Sequence, residues 1–357
     1  MTQSSGASQL NIGLIGAGMI ARDQHFPAWK RIPFTRVLAV ADASADALVH
    51  FGEEQVPLRF TDYRELLSDE RIDVVDICAP SGLHAEVAIA SLEAGKHVLV
   101  EKPMATNRAD AFAMLTAARR TGRKLMVAQH LRFGPSMLQL RQYLERHPLG
   151  DVYYARGQWL RRRRLPARPG FTRRHLSGGG AIYDLGIHMF DLTWWMMGCP
   201  RPVSVTGGMY DHLSRRADLG SEWGQWNHEE VEVDDFAAGM VRFENGALLS
   251  LEVSWLGFQK EAEFWRMHLF GKERGLAWPD VVISGETDRI PWDVELGEPA
   301  GEKAHHEVIR QFAQSVYDDA PVPVPPEQSA TAIAVLDALA ESHRAGREQV
   351  IETVQFG

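Results

Sequence analysis

The apolar and polar positions of the first third of the chain follow two alternating periods. Short, mostly apolar runs at 10–16, 36–42, 73–78, 96–100 and 124–128 have the length of strands buried on both faces. Between them, helical spacing extends to about Lys30, from about Gly82 to Ala94, and near 107–120, with Gly95 at a helix stop. Strands that alternate with helices predict a parallel sheet coated on both sides, taking ligands at the carboxyl ends of its strands. The pattern changes near Gly150. Strand-like runs at 151–159, 203–210, 231–243, 247–255 and 263–270 follow, with one helical stretch between the first two. Glu244-Asn245-Gly246 is a hairpin turn signal, so this part predicts a largely antiparallel sheet. Helical spacing returns at 304–318 and 328–345, around the proline-rich break 321–326, and no internal repeat is apparent.

A chain of 357 residues, 45% hydrophobic and 24% charged, suits two soluble domains better than one core. No run approaches the roughly 20 apolar residues of a bilayer span. Residues 1–9 lack the basic start and apolar segment of a secretion signal and predict a disordered tail. Cys78 and Cys199 lie far apart in apolar surroundings, so neither a disulfide framework nor a cysteine metal site is expected, and a reducing cytoplasm fits best. The formal charge of −9 offers nucleic acid no overall attraction.

The first strand runs into Gly16-Ala-Gly18-Met-Ile-Ala21 and a helix. Gly16 permits the tight turn, Gly18 lets backbone approach a pyrophosphate, and Ala21 takes the small position where helix packs on strand. The helix start offers N–H groups and a positive dipole end to phosphates. Asp42 ends the second strand, where an acid hydrogen-bonds a ribose 2′-hydroxyl and repels a 2′-phosphate; NAD is therefore favoured over NADP. The plainer role for Asp42 is to cap the following helix. Pro80 and Lys102 also fall just after strands, on the same edge.

The segment 178–191 sets Asp184 and His188 four residues apart, with Asp191 about one turn further on. Ile182, Leu185, Met189, Leu192 and Met196 form a core-facing stripe around them. Alone, this pair reads equally well as a satisfied buried pair or as an acid–base device.

Four segments in order, 13–21, 76–84, 94–103 and 178–191, resemble the glucose–fructose oxidoreductase / inositol dehydrogenase (Gfo/Idh/MocA) family. The Glu101-Lys102-Pro103 run and the Asp184-x-x-x-His188 helix are its specific parts. The resemblance implies a Rossmann domain at 10–130 and, at 131–357, an α/β domain with a largely antiparallel open-faced sheet. It also implies that the helices of about 304–345 pack back on the first domain, and that the open face serves homodimer or homotetramer assembly. The implied reaction is reversible hydride transfer between a nicotinamide and a secondary alcohol of a sugar, inositol or related polyol. Lys102, Asp184 and His188 fall on the family's catalytic positions, and Gly16, Gly18, Met19, Ile20, Asp42, Pro80, His84, Glu101 and Lys102 are the cofactor candidates. The chemistry agrees: an imidazole suits proton removal near neutrality, an ammonium stabilises alkoxide character, and a carboxylate orients the imidazole. Two rival readings keep the fold: a redox-neutral glycosidase with tightly held NAD, and a non-catalytic dinucleotide sensor.

The basic run 161–175 is longer than the commoner family pattern. It reads as a solvated loop, as a lid whose Arg163 and Arg164 bind an anionic substrate, or as a partner for acids on a neighbouring subunit. Trp159 and Tyr183 are the other substrate candidates, and Trp194 and Trp195 could line the same pocket. His305 and His306, without a cysteine or carboxylate array, predict a surface pair and no metal.

Overall fold

The computed structural model describes residues 9–52, 54–297 and 299–352; all of the expected tail except Gln9 lies outside them. Two compact units emerge. One comprises the chain to Met104 with Asp110–Phe133 and Glu302–Pro326, the other Ala105–Ala109, Gly134–Gly301 and Glu327 onward.

In the first unit the strands β1 (Leu10–Ile15), β2 (Thr35–Ala41), β3 (Leu58–Phe60), β4 (Val74–Ile77), β5 (His97–Val100) and β6 (Leu125–Val127) form a parallel sheet in the order β3-β2-β1-β4-β5-β6. The order reverses direction between β1 and β4, which opens a crevice at their carboxyl ends. The runs are mostly apolar because both faces are covered: Ile12, Leu14, Val40, Val74 and Leu99 are all buried. Helix Ala304–Tyr317 belongs to this unit and packs Val308, Ile309 and Phe312 into the core that holds Trp29. Between β1 and β2 the helical run opens with a π turn, Ala21–His25, before the α-helix Phe26–Arg31. Pro27 has no N–H to give to an α-helical ladder, which favours the wider turn just ahead of it.

The second unit is built on nine strands: β7 (Val152–Arg161), β8 (Pro202–Tyr210), β9 (Phe236–Phe243), β10 (Leu248–Ser254), β11 (Glu263–Gly271), β12 (Arg274–Trp278), β13 (Val282–Thr287), β14 (Ile290–Glu295) and β15 (Gln349–Val350). Their order is β14-β13-β12-β11-β7-β10-β9-β8-β15, antiparallel except where β7 meets β10. The turn at 244–246 joins β9 to β10, with Gly246 at φ +85°. One face carries the helices. A Cβ on Gly157 would lie 2.7 Å from Thr193 Oγ1, so glycine lets helix Ile187–Met196 sit down on β7; Leu339 of helix Pro326–Ala345 fills the space above Gly207 and Gly239 in the same way. The other face presents Tyr154, Arg156, Leu160, Met240 and Phe270, all half-buried or exposed.

Two expectations need correction. The strand expected from Val231 begins only at Phe236, because Asp234 and Asp235 turn inward and bind backbone N–H groups. Strands β12 to β14, rich in charged and glycine positions, carried too weak an alternation to be read as sheet.

Candidate active site

At the crevice of the first unit, Gly16 has φ +96°, and a Cβ there would lie 2.6 Å from Cys78 O and Ala79 N. Only glycine allows the ends of β1 and β4 to pass so closely. Gly18 and Met19 stand exposed, Ile20 is half-buried, and a Cβ on Gly18 would meet nothing within 4 Å. Asp42 accepts the Ala17 N–H at 2.7 Å and the Ser44 N–H at 2.8 Å. It therefore ties the glycine loop to the end of β2 and also begins the following turn; each oxygen keeps a lone pair for a ribose hydroxyl. Pro80 is exposed at the end of β4, and Lys102 is half-buried two residues past β5. Gln129, just past β6, is buried with neither amide atom hydrogen-bonded. A buried amide of this kind is costly unless a ligand or water completes it.

His84 and Glu101 are both engaged within the fold. The ring of His84 lies between Pro103 O (2.8 Å) and Ala79 O (2.9 Å), tying the loops after β4 and β5 together, so its nitrogens are occupied by the fold. Glu101 is buried; it accepts the Lys102 N–H at 3.0 Å and His25 Nε2–H at 2.8 Å. His25 in turn donates Nδ1–H to Asp76 at 2.8 Å, and the Trp29 indole donates to the same carboxylate at 2.6 Å. Burial opposes charge on His25, but the Asp76 carboxylate outweighs it and raises the imidazole well above its usual range. Burial would raise Glu101, yet the His25 hydrogen bond holds it well below the carboxylate range. The segment carrying Lys102 thus rests on a buried carboxylate–imidazolium–carboxylate chain. His25, Asp76 and Cys78 approach within 4.8 Å, as metal ligands would. However, both His25 nitrogens are engaged by carboxylates, and burial pushes the Cys78 thiol up to about 12. His305 and His306 are not a surface pair: His305 stacks on His130 at 3.7 Å beside this chain, and His306 is buried.

In the second unit, Asp184 lies in a π turn, Ile182–Gly186, that runs into helix Ile187–Met196, which carries His188. Asp234 holds the start of this element, accepting Gly180 N–H at 2.8 Å and Ile182 N–H at 2.9 Å. Any side chain at Gly180 would strike Asp234 O at 1.7 Å. Asp184 Oδ2 accepts the Trp255 indole N–H at 3.0 Å and lies 3.7 Å from Arg161 Nη1. His188 is buried, its ring 5.9 Å from that of Trp159, and Trp159 lies 5.1 Å from Trp265, its register partner on β11. Trp159, Arg161, Glu263, Trp265, Asp184 and His188 therefore gather on the helix-bearing face. Arg161, Glu263, Trp255 and Asp234 were not singled out from sequence. Period-two alternation from Gly157 through Trp159 to Arg161 could have placed Arg161 there, whereas the other three come from distant segments.

The basic run is largely engaged within the chain. Arg164 pairs with Glu222 and Glu263, Arg173 with Glu230 and Glu232, and Arg163 donates to Gly220 O at 3.1 Å. The guanidinium groups proposed for an anionic substrate thus hold the loop 211–235. Tyr183 is buried near Asp337 and Asp234, and burial raises its phenol, so it offers no open surface to a substrate. Trp194 is core, donating to Pro200 O at 2.7 Å, while Trp195 packs under Arg141.

Residues 10–129 match the family model described as "Oxidoreductase family, NAD-binding Rossmann fold", and residues 137–277 that of the GFO/IDH/MocA C-terminal domain. A D-glucoside 3-dehydrogenase of Escherichia coli is 31% identical over 279 residues, covering 77% of this chain and 78% of that protein. A levoglucosan dehydrogenase of Pseudarthrobacter phenanthrenivorans is 32% identical over 69% of this chain and 67% of its own. An oxidoreductase domain protein from Kribbella flavida superposes with a TM-score of 0.84 at 25% identity, over 97% of this chain and 100% of that one. A levoglucosan dehydrogenase in complex with NADH and levoglucosan, 23% identical over 97% of this chain and 100% of its own, shares the fold with a TM-score of 0.81.

Proposed function

We propose, since this chain belongs to the Gfo/Idh/MocA family of NAD-binding oxidoreductases, that it transfers hydride between NAD and a secondary hydroxyl of a neutral sugar or related polyol. The observation that carries the reading is the fixed carboxylate of Asp184, held by Trp255 and Arg161 one turn ahead of a buried His188 beside an indole wall. The glucoside and levoglucosan dehydrogenases among its relatives support a sugar. The self-paired arginines favour an uncharged one.

The residues of the crevice fit NAD. The open cradle at Gly18 suits a pyrophosphate, Asp42 a 2′-hydroxyl, and Gln129 an amide-bearing group. When bound, NAD supplies the acceptor for the two electrons that leave the carbinol carbon. His188 takes the hydroxyl proton, Lys102 stabilises the developing alkoxide and shares the proton, and Asp184 orients the imidazole. Trp159 and Trp265 offer a flat apolar surface to the C–H face of a pyranose ring.

The finer properties follow the same frame. The half-buried outer face of the nine-stranded sheet suits assembly into a homodimer or homotetramer. Cys78 and Cys199, neither of them in a disulfide, support a cytoplasmic protein. No described helix is long and apolar enough to cross a membrane.

Lys102→Met and His188→Ala, assayed against a panel of sugars, inositols and sugar acids, are expected to lose turnover by at least about a hundredfold while still binding NADH. NADH should form in stoichiometry with oxidised product. Undiminished turnover in both variants would sink the assignment of the pair.

A further inference from the structure

Arg161 is the first cation of the basic run and the one that ends inside a strand. It closes β7 on the face of Trp159, and it is only 8% exposed. Its backbone is locked by Ser254, whose Oγ accepts the Arg161 N–H and donates to the Arg161 carbonyl, both at 3.1 Å. Its guanidinium lies between two indoles, 4.6 Å from the centroid of Trp223 and 5.2 Å from that of Trp159. Nε donates to Glu263 Oε1 at 2.8 Å, and Nη1 faces Asp184 Oδ2 at 3.7 Å. Glu263 is fixed in its turn, accepting also from the Trp159 indole at 2.6 Å and from Arg164.

A guanidinium is a rigid planar fork. Set between indole planes and two carboxylates, it has one pose. Both carboxylates are thereby tied to one rigid group, and its charge is already balanced, so it is not waiting for an anionic ligand. The remaining freedom of Asp184 is rotation about its own side chain. Trp255 and Arg161 both restrain that rotation through Oδ2, at 3.0 and 3.7 Å.

We infer that Arg161, locked by Glu263 and clasped by Trp159 and Trp223, is a positioning residue that sets the Asp184 carboxylate for its work on His188. The inference rests on the reading of Asp184 and His188 as the acid–base pair. It gives a role to an arginine of the run that was not among the substrate candidates Arg163 and Arg164.

The test uses the full-length enzyme with saturating NAD and its best sugar, comparing Arg161→Met, Arg161→Lys, Glu263→Gln, Asp184→Asn and the double variant Arg161→Met/Asp184→Asn. Arg161→Met is expected to lower kcat by about 30-fold, with the sugar KM within about threefold and NADH affinity unchanged. Arg161→Lys, which keeps the charge but not the fork, should recover part of that loss. The double variant should be no slower than Asp184→Asn alone, because the arginine acts through that carboxylate. If Arg161→Met fails to fold, Glu263→Gln decides: it frees the guanidinium while keeping the shape, and kcat should fall about fivefold at constant KM. The inference is overturned by a raised KM with unchanged kcat, by losses that multiply in the double variant, or by unchanged kcat in Glu263→Gln. Undiminished turnover in Asp184→Asn would instead overturn the acid–base reading itself.

Discussion

At Asp42 one carboxylate serves two stretches of backbone, bracing the glycine loop through Ala17 and starting the next turn through Ser44. The cap position of the following helix is Ser44 rather than Asp42, and each Asp42 oxygen can accept a further hydrogen bond from a ribose hydroxyl. A negative charge braced in this place disfavours a 2′-phosphate by repulsion. Asp42→Ser is expected to shift the NADP-to-NAD affinity ratio toward NADP by at least about tenfold, about 1.4 kcal/mol, in fluorescence titrations of the reduced dinucleotides. An unchanged ratio would place the 2′-hydroxyl elsewhere. Gly16 and Asp42 were legible because a tight turn and a strand-end acid are local requirements. The packing of His84 and Glu101 was not legible for the opposite reason: Pro103 and His25, which hold them, come from other segments.

The helix that carries His188 is positioned as an element by Asp234, which lies 54 and 52 residues from the N–H groups it holds. Burial raises this carboxyl to about 6 from an ordinary 3.8, partly offset by the Ile182 and Gly180 N–H groups. The folded state therefore keeps a proton that the unfolded chain has lost. The stability so gained is full below about pH 4 and drains away as pH rises through 6. Relative to Asp234→Asn, the parent should lose about 1 kcal/mol of stability between pH 5 and 8, read as the difference in denaturant midpoints. A difference independent of pH would mean that this carboxyl is ionised throughout. The helix itself was legible from its apolar stripe. Its π turn was not, because i→i+5 bonding leaves the spacing of the stripe intact; such turns frequently mark functional sites.

For the whole molecule, the exposed face of the nine-stranded sheet has a consequence in solution. Met240 and Phe270 stand 39% and 38% exposed there, amid charged and polar neighbours. The proposed homo-oligomer would cover them. Met240→Asp with Phe270→Asp is expected to reduce the assembly to monomers in analytical ultracentrifugation, with NADH affinity retained. Persistence of the assembly would move the interface to another surface. At this scale the alternation of strands and helices, the glycine loop with its strand-end acid, and the Asp184–His188 spacing all lie in the sequence, because each depends on residues within a turn or two of one another. What surrounds that pair was decided by the tertiary structure alone. Trp255, just past β10, Arg161 on β7 and Glu263 on β11 meet at Asp184 or at each other only because β10, β7 and β11 lie side by side. The acids of the 211–235 loop and of β11 neutralise arginines that, in sequence, looked free to bind a substrate. Charge along a chain is local, whereas its compensation depends on which strands become neighbours.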